Sequence, residues 1–100
     1  MIKHIVMWRL RDEAHGNDLQ TNAYLIQKKL MALQGIIPGI IAIEVGIDFS
    51  RSEGSGDVVL YSEFQDREAL AAYQLHPEHQ ALIPFIVGAS QERRVVDYEV

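Results

Sequence analysis

The sequence predicts an α+β fold, with four strands in one antiparallel sheet and two main helices on one of its faces. The order is strand, helix, strand, strand, helix, strand, the ferredoxin-like βαββαβ arrangement. Two observations predict it. Residues 2–10, 40–49, 57–64 and 93–100 alternate their side chains at the two-residue period of a strand, whereas the stretches after Asp18 and Asp66 space apolar residues by three and four. Glycine, proline or N-capping residues stand at the boundaries between these stretches.

In the first strand His4, Val6, Trp8 and Leu10 share one face and Lys3, Ile5, Met7 and Arg9 the other. Both faces carry large apolar groups at the centre, as in a strand covered on both sides. Residues 11–18 are polar and read as a loop, with Asn17 or Asp18 as the N-cap of the first helix. Leu19, Ala23, Ile26, Leu30 and Leu33 form the apolar face of that helix, and Gln20, Gln27 and Lys28 fall largely opposite. Gly35 ends it and Pro38 prevents its resumption. In the second strand Ile41, Ile43, Val45 and Ile47 alternate with Ala42, Glu44 and Gly46. Residues 50–56 offer nothing to bury and read as a mobile hairpin connection. The third strand sets Val58, Leu60, Ser62 and Phe64 against Val59, Tyr61 and Glu63. Asp66 caps a second helix that runs to about Leu75. His76, preceding Pro77, is pushed away from helical geometry and caps the break. A short helical segment over 78–83 then precedes Pro84, residues 88–92 form a loop, and the last strand sets Val95 and Asp97 against Val96, Tyr98 and Val100.

One hundred residues at 48% hydrophobic content fit a single domain over residues 1–100. The absence of cysteine excludes disulfides, thiol catalysis and thiolate metal sites. It suits a reducing compartment, so a cytoplasmic location is expected. No stretch has the length of a signal-peptide core or a bilayer span, so no membrane association is expected. The net charge of −5, with Lys28-Lys29 and Arg93-Arg94 as the adjacent basic pairs, argues against nucleic acid as a partner. Two helices cover one face of the sheet, yet the other would present Ile5, Met7, Val59, Tyr61, Val96, Tyr98 and Val100. Such a patch exceeds what monomers usually expose. The expected partner is a second copy, packed sheet to sheet about a two-fold axis.

Several stretches, in order along the chain, resemble one family. They are the opening Met-Ile-Lys-His-Ile-Val-Met-Trp-Arg-Leu, Ile37-Pro38-Gly39-Ile40, Ile43-Glu44-Val45-Gly46 and Asp57-Val58-Val59-Leu60, followed by Ala69-Leu70-Ala71-Ala72-Tyr73 with His76-Pro77-Glu78-His79, and the closing Val96-Asp97-Tyr98. Together they are similar to the stress-responsive α/β-barrel (Dabb) family. The resemblance implies a ferredoxin-like protomer and a dimeric α/β barrel made of two face-to-face sheets. Most members have no established activity, so the resemblance implies a domain that lodges a small apolar ligand or none. One branch, the plant polyketide cyclases, performs a cofactor-independent aldol cyclisation with the tyrosine and second histidine of Tyr-x-x-His-Pro-x-His. Those positions match Tyr73 and His79, and two supporting pocket positions match His4 and Asp97. A lyase or cyclase is therefore the first alternative. A small cofactor-free monooxygenase of the dimeric α/β-barrel type is the second, on fold analogy.

In the cyclase reading His79 acts as general base and Tyr73 stabilises an enolate. Otherwise Tyr73 packs on the sheet and His79 bonds a carbonyl. His4 and Asp97 face each other across the first and last strands; their pairing either orients a catalytic imidazole or satisfies two polar groups. Val6, Trp8, Ile26, Leu30, Val58 and Leu60 are core residues that would also wall any cavity. No cofactor is expected. His76 and His79 lack the carboxylate context of a transition-metal site. A weak main-chain cation site in some plant relatives would map to Gln34, Ile37 and Ile40, where helix-end carbonyls have spare acceptors.

Overall fold

The computed structural model describes all of residues 1–100. Its main sheet consists of β1 (Ile2–Leu10), β4 (Ile40–Ile47), β5 (Val58–Phe64) and β6 (Ser90–Glu99) in the order β4-β5-β1-β6, antiparallel throughout. Helices α1 (Leu19–Met31) and α2 (Arg67–Leu75) lie on one face, with two shorter segments, α3 (Pro77–Gln80) and α4 (Ile83–Ala89), leading into β6. This is the ferredoxin-like α+β arrangement that the residue pattern predicts.

Register follows burial. In β1, His4, Val6, Trp8 and Leu10 point into the helix-covered core; in β5, Val58, Leu60, Ser62 and Phe64 do the same. His4 stands opposite Ser62 on one side and Asp97 on the other. A one-residue slip would turn the whole apolar set outward, so the core pins this pairing. Asp18 and Asp66 cap α1 and α2 by accepting the N–H groups of Thr21 and Ala69, each at 2.8 Å.

Several elements depart from expectation. Residues 11–18 contain a small hairpin, β2 (Glu13–Ala14) paired with β3 (Asn17–Asp18). Its two-residue turn, His15-Gly16, places both residues at positive φ, the turn geometry that matches strand twist. Asn22, fully buried on α1, donates to the Ala14 carbonyl and accepts from Asn17, which ties the hairpin to the helix. Gln27 is half-buried, and its side-chain amide donates to the Val45 carbonyl at 2.8 Å rather than facing solvent. In β4 a register irregularity between Ile40 and Ala42 turns Ile41 outward, while Ile40 packs against the core in its place. The strand stops at Ile47, and Phe49 projects with 93% of its surface exposed. Pro84 opens α4 instead of ending a helix, because proline is tolerated in the first turn, where its missing N–H has no helical partner. The helix then runs through Gly88, and β6 starts at Ser90 without an intervening loop.

The helical layer does not reach across β6. Arg93, Val95 and Asp97 stand in register with Trp8, Val6 and His4, yet all three are exposed. On the opposite face Met7, Val96, Tyr98 and Val100 are exposed and Ile5, Val59 and Tyr61 half-buried, so the apolar patch on the uncovered side of the sheet is present. No helix is long and apolar enough to cross a membrane.

Candidate functional site

Local chain chemistry brings Tyr73 and His79 together. Proline at position 77 holds His76 extended at ψ 136°, ending α2 at Leu75; the His76 N–H donates to the Tyr73 carbonyl. His76 Nδ1 then accepts the Glu78 N–H at 3.1 Å, so this histidine caps α3. The break folds His79 back over the end of α2, with its ring centroid 4.6 Å from that of Tyr73 and tilted by 54°.

The hydrogen bonds of His79 determine its tautomer. Nδ1 lies 3.1 Å from the Gln74 carbonyl, which can only accept, so Nδ1 carries the proton. In the neutral ring Nε2 therefore keeps its lone pair. Desolvation lowers the pKa of His79 below 6.5; the Gln74 carbonyl opposes the shift, and the neighbouring His4 and the Arg93 guanidinium add to it. The neutral ring is thus the prevailing form at pH 7. Tyr73 is fully buried and its hydroxyl has no hydrogen-bond partner. Burial pushes its pKa up to about 12, so the group is a proton donor throughout the neutral range.

His4 lies beside this pair, its ring centroid 6.3 Å from Tyr73 and 6.4 Å from Phe64, in edge-on arrangements. Its Nδ1 bonds Asp97 Oδ1 across the β1–β6 pairing, and Ser62 Oγ donates to its main-chain carbonyl at 2.9 Å. With Nδ1 engaged by a carboxylate, Nε2 is the nitrogen left to face another group. His4 is 2% exposed, while the Asp97 side chain is 42% exposed, so the pair links the interior to the surface.

A cavity of about 290 Å³ lies between the sheet and the helical layer. Its walls are Val6 and Trp8 of β1, Leu60 of β5, Leu30 of α1, and side chains of the Leu82–Val87 stretch; His4, His79 and Arg93 supply the polar lining. Ile26 and Val58 are buried in the core without lining it, since their side chains are spent on helix–sheet packing. Tyr73 and Asp97 do not line it either. Tyr73 stands behind the two imidazoles, and Asp97 opens onto a separate recess with Arg67 and Leu70. The structure thus makes a row, Asp97–His4–Tyr73–His79, of which the two histidines reach the cavity.

Sequence reasoning missed Arg93 and the contribution of α4. Ending the helical segment at Pro84 hid the spacing of Leu82, Ile83, Ile86 and Val87, which was legible as a helical face. Gln34, Ile37 and Ile40 lie in the α1–β4 connection and at the start of β4, away from the cavity lining. No group of three or more His, Cys, Asp or Glu side chains converges as a metal site.

Comparison with known proteins places this geometry in a family. A dimeric protein of unknown function and ferredoxin-like fold from Bacteroides fragilis NCTC 9343 is 32% identical, with a TM-score of 0.88 over 99% of this chain and 95% of that one. A dimeric ferredoxin-like protein of unknown function from Thermobifida fusca YX aligns at 23% identity and TM-score 0.84, covering 99% and 90%. The hydroxynitrile lyase of Passiflora edulis shares the fold at 19% identity and TM-score 0.81, covering 99% and 92%. No curated protein sequence matches the chain. The sequence pattern of the stress responsive A/B barrel domain matches residues 2–100, and this chain belongs to that family, the Dabb domains.

Proposed function

We propose that this Dabb domain is a cytoplasmic homodimer that binds a small, mainly apolar molecule between its sheet and helices. The observation that carries the reading is the cavity of about 290 Å³, with aliphatic and indole walls and two imidazoles at one side. That size is at the lower end of small-ligand sites, which run from roughly 300 to 1,000 Å³. Apolar walls supply affinity, and the two Nε2 atoms orient a polar group of the ligand. The dimeric neighbours and the exposed Met7, Val96, Tyr98 and Val100 support pairing through the open face of the sheet. Trp8, the one tryptophan, lines the cavity and reports on its contents. In a fluorescence titration with small aliphatic and aromatic compounds, at least one should shift Trp8 emission saturably. Leu30→Phe, which fills the cavity, should abolish the shift. A response that survives the filled cavity would place binding elsewhere and refute the reading.

A second reading, a cofactor-independent lyase or cyclase, is favoured by one observation: His79 keeps a lone pair on Nε2 beside the unpaired phenol of Tyr73. His79 would remove a proton next to a carbonyl, and Tyr73 would donate to the enolate oxygen that forms. Because Tyr73 lies behind the lining, His79 must move aside for both groups to reach one substrate. The check is turnover of a β-polyketo acid; loss of at least 100-fold in His79→Ala supports the role, and an unchanged rate excludes it.

A further inference from the structure

We propose that Arg93 makes the cavity selective for anions, and that its ligand is a small apolar molecule bearing one carboxylate. The inference rests on the ligand-binding reading above and deepens it. Of the six arginines, Arg9, Arg51, Arg67 and Arg94 are each paired with a carboxylate, and Arg11, which has no carboxylate partner, lies outside the cavity lining. Arg93 has no such partner, and it is the one cationic side chain in the cavity lining. The carboxylates near it in sequence are already engaged. Glu92 pairs with Arg9 and Arg94, Asp97 with His4, and Glu99 with Arg67. No acid of the chain neutralises the guanidinium, so an anion supplied from outside would.

The position suits this role. Arg93 stands opposite Trp8 on the exposed edge strand, so its charge sits at the rim while Val6, Leu30 and Leu60 line the interior. A guanidinium presents two parallel N–H donors that match the two oxygens of a carboxylate. A single unpaired cation balances one negative charge; a phosphate, with close to two, would be left under-compensated, since no lysine or second arginine joins the lining. His79 and His4 are the titratable groups that also face the cavity, and neither is an anion that would repel the ligand. The apolar part of the ligand then lies against the aliphatic wall, and its head reaches the rim.

The test compares octanoate with 1-octanol by Trp8 fluorescence at pH 8 in the wild type, Arg93→Gln and Arg93→Lys. Octanoate should bind the wild type at least tenfold more tightly than the alcohol. Arg93→Gln should reduce that preference to within about twofold, chiefly by weakening octanoate, while Arg93→Lys keeps part of it. Adding 0.5 M NaCl should weaken octanoate and leave octanol unchanged. A preference for the alcohol in the wild type, or an acid preference that persists in Arg93→Gln, would overturn the assignment and leave the cavity reading standing. If neither compound perturbs Trp8, the assignment is overturned, and the cavity reading is decided separately by the titration with aliphatic and aromatic compounds against Leu30→Phe.

Discussion

Replacing Gly88 with alanine probes how the β2–β3 hairpin holds α4, and through α4 one wall of the cavity. A Cβ at position 88 would lie 2.8 Å from His15 Cε1 and 3.0 Å from Nε2, closer than real carbon contacts. The imidazole would have to leave its place. There it stacks on Phe85, with centroids 4.4 Å apart and planes 16° from parallel, and its Nε2–H donates to the Phe85 carbonyl at 2.9 Å. Stack and hydrogen bond together contribute about 1–2 kcal/mol. Against that loss, alanine is favoured over glycine within a helix by about 0.5–1 kcal/mol. Gly88→Ala alone should therefore destabilise by about 0.5–1 kcal/mol. In a His15→Ala background the clash is gone, and the same change should stabilise by a similar amount. Urea denaturation of the wild type, both single variants and the double variant, at one protein concentration, closes the cycle. The expected coupling is about 1–2 kcal/mol; a value within the roughly 0.3–0.5 kcal/mol of independent sites would refute the hairpin-to-helix contact.

Tyr73→Phe deletes a buried hydroxyl that has no partner and should stabilise the protein by about 1–2 kcal/mol in the same urea assay; a clear loss of stability would show that the hydroxyl is satisfied in solution. Because the folded-state pKa of Tyr73 is raised to about 12 from 10, its contribution is fully present below pH 10 and disappears as pH rises toward 12. Thermal unfolding of the wild type should accordingly lose stability across that window more steeply than Tyr73→Phe does. His79 has the opposite sense: its folded pKa lies below 6.5, so the unfolded chain takes up the proton first, and stability falls as pH drops below 6.5. His79→Gln should flatten that acid limb, and an unchanged slope would show that burial does not disfavour the charged ring. Val96→Glu, on the uncovered face opposite Ile5, should convert the expected dimer to monomer in light scattering, and an unaffected dimer would place the interface elsewhere.

Much of the fold was legible because it rests on one-dimensional patterns. Alternation in β1 and β5 put His4, Val6, Trp8 and Leu10, and Val58, Leu60, Ser62 and Phe64, on their buried faces, and Asp18 and Asp66 marked the helix starts. Errors arose where local geometry overrode period. At Ile41 a bulge reversed the facing of one residue, and at Pro84 a proline read as a stop proved to be a start. The hairpin at Glu13–Asp18 was missed because its strands are two residues long, too short to show a period, and owe their place to Asn22 and His15.

By itself the sequence determined the family, the strand and helix order, the meeting of His4 with Asp97 and the break at Pro77 that returns His79 toward Tyr73. All of these follow from spacing along the chain. Tertiary structure alone decided which of these groups face open space: His4 and His79 do, Tyr73 and Asp97 do not, and Arg93 joins them from the far end of the chain. The reason is physical. A cavity is the space left when the helical layer stops short of the edge strand β6, and its extent depends on how α3 and α4 pack across the sheet. Its lining therefore comes from residues distant in sequence, and the pairing that leaves Arg93 free depends on where every other charge has gone.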